Sequence, residues 1–245
     1  MPAISNSTLS IASSEPVFTG GTRTSPLTVR RSARARQLRL VVDPRDGAVR
    51  LTLPARASLR QALKWVEAKR GWIESTLAAL PDAVALGVGS LLPFEGRDLR
   101  VVWAGERSRS VRIEDDTLLV GGPEEHVSAR LLRWLRAQAK VRLETETRAI
   151  AARSSIVVGR VGIGDPRSRW GSCSASGDIR YSWRLILAPR AVLEATVAHE
   201  VAHRLHMDHS PAFHRAVTEL LGRDPKAERA WLKVHGARIQ AIGRS

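Results

Sequence analysis

Residues 199 to 209 read HEVAHRLHMDH, and this stretch is the most informative part of the chain for fold and function. On a helix, the four-residue spacing of His199 and His203 stacks both imidazoles on one face, where both can bind one tetrahedral zinc ion. Glu200 follows about 100° around the helix, near the open position of such a metal. The pattern predicts a zinc-dependent hydrolase with His199 and His203 as metal ligands and Glu200 as general base.

The residues before this pattern predict a buried helix. Pro189 suits a first-turn position, and apolar or small side chains follow at helical spacing, at Val192, Leu193, Thr196, Val197, Val201 and Leu205. Five of the seven histidines fall within residues 199–214. The alternative is a set of histidines on a solvated helix face. A buried helix that carries His199, Glu200 and His203 instead needs a partner for these groups, and a metal ion would supply one.

A catalytic zinc ion usually takes three protein ligands and leaves one position for water. His209 directly precedes Ser210 and Pro211, which predict a helix with Ser210 as N-cap and Pro211 as its first residue. The chain therefore turns beside the metal helix, and this favours His209 as the third ligand. A glutamate from a following helix, Glu219 or Glu228, is the alternative that ligand chemistry leaves open.

Several other segments accompany the HExxH pattern. They read RWGSCS at 169–174, WRLILAP at 183–189, HSPAF at 209–213, AWL at 230–232, RSARAR at 31–36 and KRGWI at 69–73. This combination resembles the YgjP-like, SprT-related zinc metallopeptidase family over roughly residues 27–242. The resemblance implies that His199, His203 and His209 bind zinc and that Glu200 is the catalytic base. At one position the chain departs from the family, because His214 stands where an aromatic residue usually follows.

The composition limits the compartment. The 245 residues include one cysteine, Cys173, so no disulfide can form within the chain and a reducing compartment is expected. We interpret Cys173 as a small buried residue rather than a metal ligand or nucleophile. The N-terminal stretch lacks the pattern of a secretory signal, and no apolar run reaches the roughly 18 residues of a membrane span. These features predict a cytoplasmic protein without a membrane partner.

The excess of positive charge indicates nucleic acid as one further candidate partner. The formal net charge is +15, and because five of the 39 basic residues are lysines, 34 are arginines. The densest basic run includes Arg30, Arg31, Arg34 and Arg36 and contains no acidic residue before Asp43. This run predicts weak, sequence-independent nucleic-acid binding. The alternative is that the arginines serve solubility only.

The chain is predicted to be an α+β protein in three parts. Residues 1–26 form a disordered tail. Residues 27–122 form a small N-terminal β-rich unit with a helix, in which a hairpin turns at Asp43–Gly47 and Ser58 caps the helix. Residues 123–245 contain a long linking helix and a zincin-like catalytic unit.

Within the third part, the linking helix is predicted at about 124–153. Strands are predicted at 156–163 and 179–187, on either side of a loop at 165–174. In zincin-like proteins a strand beside the metal helix offers its edge to an extended peptide, and the segment near Tyr181 is the candidate edge.

The favoured function is zinc-dependent hydrolysis of a peptide or protein substrate. Arg169, Trp170 and Tyr181 are the candidate substrate-binding residues, and Arg167, Arg169, Tyr181 or His206 is the candidate for stabilising the oxyanion. One alternative is a metal-dependent phosphohydrolase that holds nucleotides with arginines. The other is a zinc-stabilised nucleic-acid-binding module without catalytic activity.

Overall fold

The computed structural model describes residues 17–20, 23–43, 46–82, 84–106, 109–166 and 168–243. Within these ranges the chain forms three small sheets and six α-helices, which confirms the predicted α+β class. It divides into two compact units, Met1–Asp82 and Ala83–Ser245.

The first unit is a four-stranded sheet covered on one face by two helices. Its elements are β1 (Val17–Gly20), β2 (Arg23–Ser32), β3 (Arg39–Val42), β4 (Val49–Pro54), α1 (Leu59–Ala68) and α2 (Arg70–Ala78). The strand order is β1-β2-β4-β3, and only β2 and β4 run parallel. The antiparallel β3-β4 pair confirms the predicted hairpin, and Ser58 caps α1 as predicted. Alternate residues of β4 are buried against Val66 of α1 and Ile73 of α2 in one apolar core.

Part of the stretch predicted as a disordered tail, residues 1–26, forms strands. β1 pairs antiparallel with the beginning of β2, and Phe18 is fully buried in the core of this unit. The serine- and threonine-rich composition of this stretch predicted disorder. Composition averages over many residues, so it does not show that a single aromatic side chain can be buried in the core. Residues 1–16 lie outside the described residues.

The second unit contains two sheets and four helices. The first sheet has the order β5-β6-β8-β7, and the second has the order β10-β11-β9. Their elements are β5 (Leu91–Phe94), β6 (Arg97–Trp103), β7 (Val111–Glu114), β8 (Thr117–Val120), β9 (Val161–Gly164), β10 (Gly171–Cys173) and β11 (Ile179–Ser182). The helices are α3 (Val127–Arg153), α4 (Arg190–Ala202), α5 (Pro211–Leu221) and α6 (Lys226–Ala241). A short 3₁₀ turn at Glu124–His126 leads into α3, so the long helix predicted at about 124–153 is confirmed.

The sheet β5-β6-β8-β7 shares its core with the long helix. Leu99 and Leu118 of the sheet belong to the same apolar cluster as Leu131 and Leu135 of α3. The compact units accordingly divide between residues 82 and 83, whereas the sequence placed a boundary between 122 and 123. The turn residues near 122 indicate only where a helix starts. The boundary of a compact unit is set by which residues share one apolar core.

The segment predicted as a strand at 179–187 is a strand only in its first part. β11 ends at Ser182, and Trp183–Leu187 form a buried 3₁₀ helix in which the Ser182 hydroxyl accepts a hydrogen bond from the Arg184 N–H at 3.3 Å. A short apolar run that is buried on all sides has no periodicity that separates a strand from a helix. The arrangement also places β11 in the middle of its sheet rather than at an edge.

No helix among the described residues has both the length and the apolar character needed to cross a bilayer. The longest of them, α3, has 27 residues and carries charged side chains along its length. The cytoplasmic location inferred from the single cysteine stays a prediction.

Candidate metal centre

Two consecutive helices position the histidines. α4 begins after Pro189, runs through the buried core and ends with His203 at its C-terminal cap, so His199 and His203 lie one turn apart. A short turn then leads to α5, where the Ser210 hydroxyl accepts a hydrogen bond from the Phe213 N–H and Pro211 is the first helical residue. The predicted helix start is therefore confirmed, and it returns the chain to α4.

The turn brings a third histidine to the other two. His199, His203 and His209 each offer a ring nitrogen, and these three atoms lie within 4.8 Å of one another. The Nε2 atoms of His199 and His209 are 3.3 Å apart. Two nitrogens at about 2.0 to 2.1 Å from one tetrahedral ion are also separated by roughly 3.3 Å. The group could therefore hold a metal ion, and within the described residues it contains neither Glu219 nor Glu228.

The hydrogen bonding and burial of the histidines favour the form that binds metals. The His203 Nδ1 lies 3.1 Å from the His206 carbonyl oxygen, which can only accept, so Nδ1 carries the proton and Nε2 keeps a free lone pair. Burial, together with the neighbouring His203 and His209, lowers the pKa of His199 to about 4. Burial also lowers the pKa of His203. Both imidazoles are neutral at physiological pH, as metal ligation requires.

Phe213 holds the three rings in place. Its ring centroid lies 4.8 Å from that of His199, 4.6 Å from that of His203 and 4.8 Å from that of His209, and its side chain is fully buried. In the sequence, Phe213 stands out only as part of the HSPAF segment, which predicts no role for it. Its position four residues after His209, on the first turn of a helix, is the signal that could have indicated this packing.

Glu200 is the buried acid of the centre. This residue is only 4% exposed, and its Oε2 atom has no hydrogen-bond partner among the described residues. Burial raises the pKa of Glu200 to about 7, while the positive charge of Arg169 opposes this shift. A buried carboxylate oxygen without a partner is costly unless something binds it, such as a water molecule held by a metal. The donor set and this unpaired oxygen both fit a hydrolytic metal centre.

The strand β10 packs closely against the Glu200 side chain. A Cβ atom on Gly171 would lie 2.4 Å from Oε1 of Glu200, so only glycine allows the backbone to approach so closely. This role of Gly171 was not predicted from the sequence. Its place in the WGSC segment indicates a turn or strand, but the contact with Glu200 depends on the tertiary structure.

A cavity of about 520 Å³ opens onto the three histidines and Glu200. Arg169 and Trp170, the candidate substrate-binding residues, line it. Its other walls are mostly apolar and include Val192, Ala195, Val217, Pro225 and Leu232. Glu228 also lines the cavity, where it is 8% exposed and binds Arg223 at 3.0 Å. Only its Oε1 accepts from Arg223, and its Oε2 has no hydrogen-bond partner among the described residues, but Glu228 does not belong to the histidine group.

Tyr181 does not line the cavity, which corrects its assignment as a substrate-binding residue. It is fully buried, its hydroxyl lies 3.0 Å from Oγ1 of Thr147, and burial raises its pKa. Because its hydroxyl contacts Thr147 of α3 and no part of it is exposed, this side chain packs into the core. Of the other oxyanion candidates, His206 uses its carbonyl to bind His203, and Arg167 lies outside the described residues. Cys173 lines the cavity, and burial raises the pKa of its thiol.

A helix with two histidines one turn apart, a buried glutamate between them and a third histidine from the next turn is typical of HExxH metal-dependent hydrolases. The YgjP-like, metallopeptidase domain family model matches residues 36–235, and the chain belongs to this family. The resemblance noted in the sequence is thereby confirmed. A search of curated proteins and a search of solved structures found no significant match.

Proposed function

We propose that the protein is a zinc-dependent peptidase that cleaves extended segments of peptide or protein substrates. The observation that carries the proposal is the buried Glu200 carboxylate, whose Oε2 has no partner among the described residues and which lines the cavity beside three clustered histidines. Three histidine ligands with one open position are a typical set for catalytic zinc. When bound, zinc acts as a Lewis acid that polarises a carbonyl and acidifies water.

Glu200 moves the proton in this proposal. Since its pKa is raised to about 7, its carboxylate can accept a proton from the attacking water near neutral pH and then deliver the proton to the leaving amine. Glu200 is preferred as the base over Glu228, the other carboxylate of the cavity, because Glu200 directly follows His199 on α4, whereas Oε1 of Glu228 accepts a hydrogen bond from Arg223. Arg169, whose charge acts on Glu200, is the proposed stabiliser of the developing oxyanion.

The substrate is proposed to align along β10, which is the edge strand beside Glu200. The Ser182 N–H donates to the Trp170 carbonyl at 2.8 Å, so in the antiparallel β10-β11 pair the N–H and C=O groups of Gly171 and Cys173 point away from β11. No strand in the described part of the chain pairs with that outer edge. An extended peptide could add there, and its scissile bond would then lie close to Glu200.

The lining favours a peptide over a nucleotide as substrate. Two arginines, Arg169 and Arg229, line the cavity together with two carboxylates, Glu200 and Glu228, and the remaining walls are largely apolar. Apart from the metal ion, the side chains of the cavity therefore offer a phosphate group no clear excess of positive charge. An apolar peptide side chain would instead be buried against Val192 and its neighbours.

Removal of the metal tests the proposal. Dialysis against a chelator is expected to abolish cleavage of an unfolded protein such as casein, and about one zinc ion per chain should restore it. Zinc content is measured by mass spectrometry and cleavage by gel electrophoresis, with nucleoside triphosphates as a parallel substrate. A protein that takes up no zinc, or that hydrolyses the nucleotides and leaves the casein intact, would overturn the proposal.

Gly171→Ala tests the contact between β10 and the catalytic acid. The new Cβ would lie 2.4 Å from Oε1 of Glu200, so the carboxylate must move, and we expect casein cleavage to fall by about 10²-fold with unchanged zinc content. Gly162→Ala on β9 is the matched control, because its nearest neighbour would be 4.0 Å away. Full activity in Gly171→Ala, or equal losses in both variants, would argue against the assigned position of Glu200.

A further inference from the structure

The outer face of the first unit's sheet carries a row of basic side chains. Alternate residues of β4 point into the core, so Thr52, between Leu51 and Leu53, points to the opposite face. Thr52 is paired laterally with Arg30 on β2 and with Arg39 on β3. Residues paired across a sheet point to the same side, so Arg30 and Arg39 flank Thr52 on the face opposite the helices.

The chain between β2 and β3 completes a groove over this face. The groove has a volume of about 630 Å³, and four arginines line it: Arg30, Arg34, Arg36 and Arg39. We call it the arginine groove. All four side chains are exposed, and within the described residues none of the four guanidinium groups forms a hydrogen bond or an ion pair. Its other lining residues include Ser32, Gln37 and Thr52 but no acidic residue.

Arg31 does not belong to the groove, although the sequence placed it with its neighbours as a nucleic-acid contact. Its Nη1 donates hydrogen bonds to the carbonyl oxygens of Ala55 at 2.7 Å and Ala57 at 2.8 Å. Strand alternation directs this side chain away from Arg30, and it holds the turn that follows β4. Arg39, which belongs to the same basic run but was not among the four predicted nucleic-acid contacts, takes the fourth position.

We propose that the arginine groove binds the phosphate backbone of a nucleic-acid strand. Guanidinium forks match phosphate oxygens, and these four have no competing acid within the described residues. Serine, threonine and glutamine side chains, which also line the groove, are common further donors to phosphate. No aromatic side chain lines it, so bases cannot stack there and binding is independent of sequence.

Salt dependence of binding tests the proposal with the full-length protein. The probe is a labelled single-stranded oligonucleotide of mixed sequence, as DNA and as RNA, and anisotropy gives the affinity at several KCl concentrations. In the combined variant Arg30→Gln, Arg34→Gln, Arg36→Gln and Arg39→Gln, the slope of log K against log salt should fall in magnitude by about 3, at roughly 0.7 per phosphate contact. Each single variant should lower it by about 0.7.

A matched variant removes the same amount of charge outside the groove. Its changes are Arg56→Gln, Arg60→Gln, Lys64→Gln and Lys69→Gln, all at exposed positions that do not line the groove. We expect its slope to stay close to that of the unaltered protein, and Arg31→Gln to lower thermal stability without changing the slope. The proposal is overturned if the unaltered protein does not bind, if the groove variants keep the slope, if the matched variant loses as much, or if polyglutamate competes as well as the oligonucleotide.

Discussion

Replacement of Glu200 by glutamine is expected to lower peptide hydrolysis by about 10²- to 10⁴-fold, the usual contribution of a general base, while the zinc content stays unchanged. Glutamine has the same shape and fits against Gly171, but its amide cannot accept the proton of the attacking water. Glu200 is not a member of the histidine group, so the ligands remain intact.

Kinetics with casein-derived peptides and metal analysis of the same samples measure this effect. Glu194→Gln is the control on the same helix, because Glu194 binds Arg190 at 2.9 Å and does not line the cavity. We expect it to retain near-normal activity. Loss of zinc from Glu200→Gln together with activity would show that Glu200 supports the metal and would refute its role as a base.

The same variant should alter the pH dependence of stability in the metal-free protein. The pKa of Glu200 is raised from 4.5 to about 7 on folding, so the folded state binds the extra proton between these values. The free energy of unfolding should therefore fall as pH rises from about 4.5 to 7. Glu200→Gln should remove this part of the fall, which chemical denaturation at several pH values would measure.

The helices of the site were predictable because their signals are local. The spacing of His199 and His203 needs only helical geometry, and Ser210 with Pro211 marks the start of the next helix wherever the chain folds. These two facts favoured His209 as the third ligand, because a turn between packed helices leaves few directions for the chain, but they left a glutamate from a later helix open. The resemblance to the family extends over most of the chain, so it identified the metal ligands and the catalytic base more specifically than the HExxH pattern alone.

The errors concern features that depend on tertiary pairing. The strand near Tyr181 was identified, but its place in the middle of the sheet depends on which strands pair, and this order has no local signal. The close approach of Gly171 to Glu200 and the contacts of Arg31 with backbone carbonyls also join residues far apart in sequence. Sequence patterns identified polar residues that lie close together along the chain. Which of these residues contact one another depends on the tertiary structure.

His209→Ala is expected to weaken zinc binding by well over 100-fold, beyond the roughly 10- to 100-fold range typical of residues that only support a ligand. The His209 Nε2 lies 3.3 Å from that of His199, so the substitution removes one of three converging nitrogens. With two histidines left, the affinity should approach that of an open surface site. Competition with a chromophoric chelator at fixed pH measures the affinity.

Three variants make the assignment of His209 decisive. His214→Ala is the matched control, because His214 lines the same cavity with its ring centroid 6.5 Å from that of His209 but does not belong to the metal group. We expect it to keep near-normal affinity, and Glu219→Ala and Glu228→Ala to stay within about 100-fold. If Glu228→Ala lost the metal while His209→Ala retained it, the third ligand would come from α6 and the turn before α5 would have only a structural role. The geometry favours His209, since its nitrogen already faces the other two whereas the Glu228 carboxylate is held by Arg223.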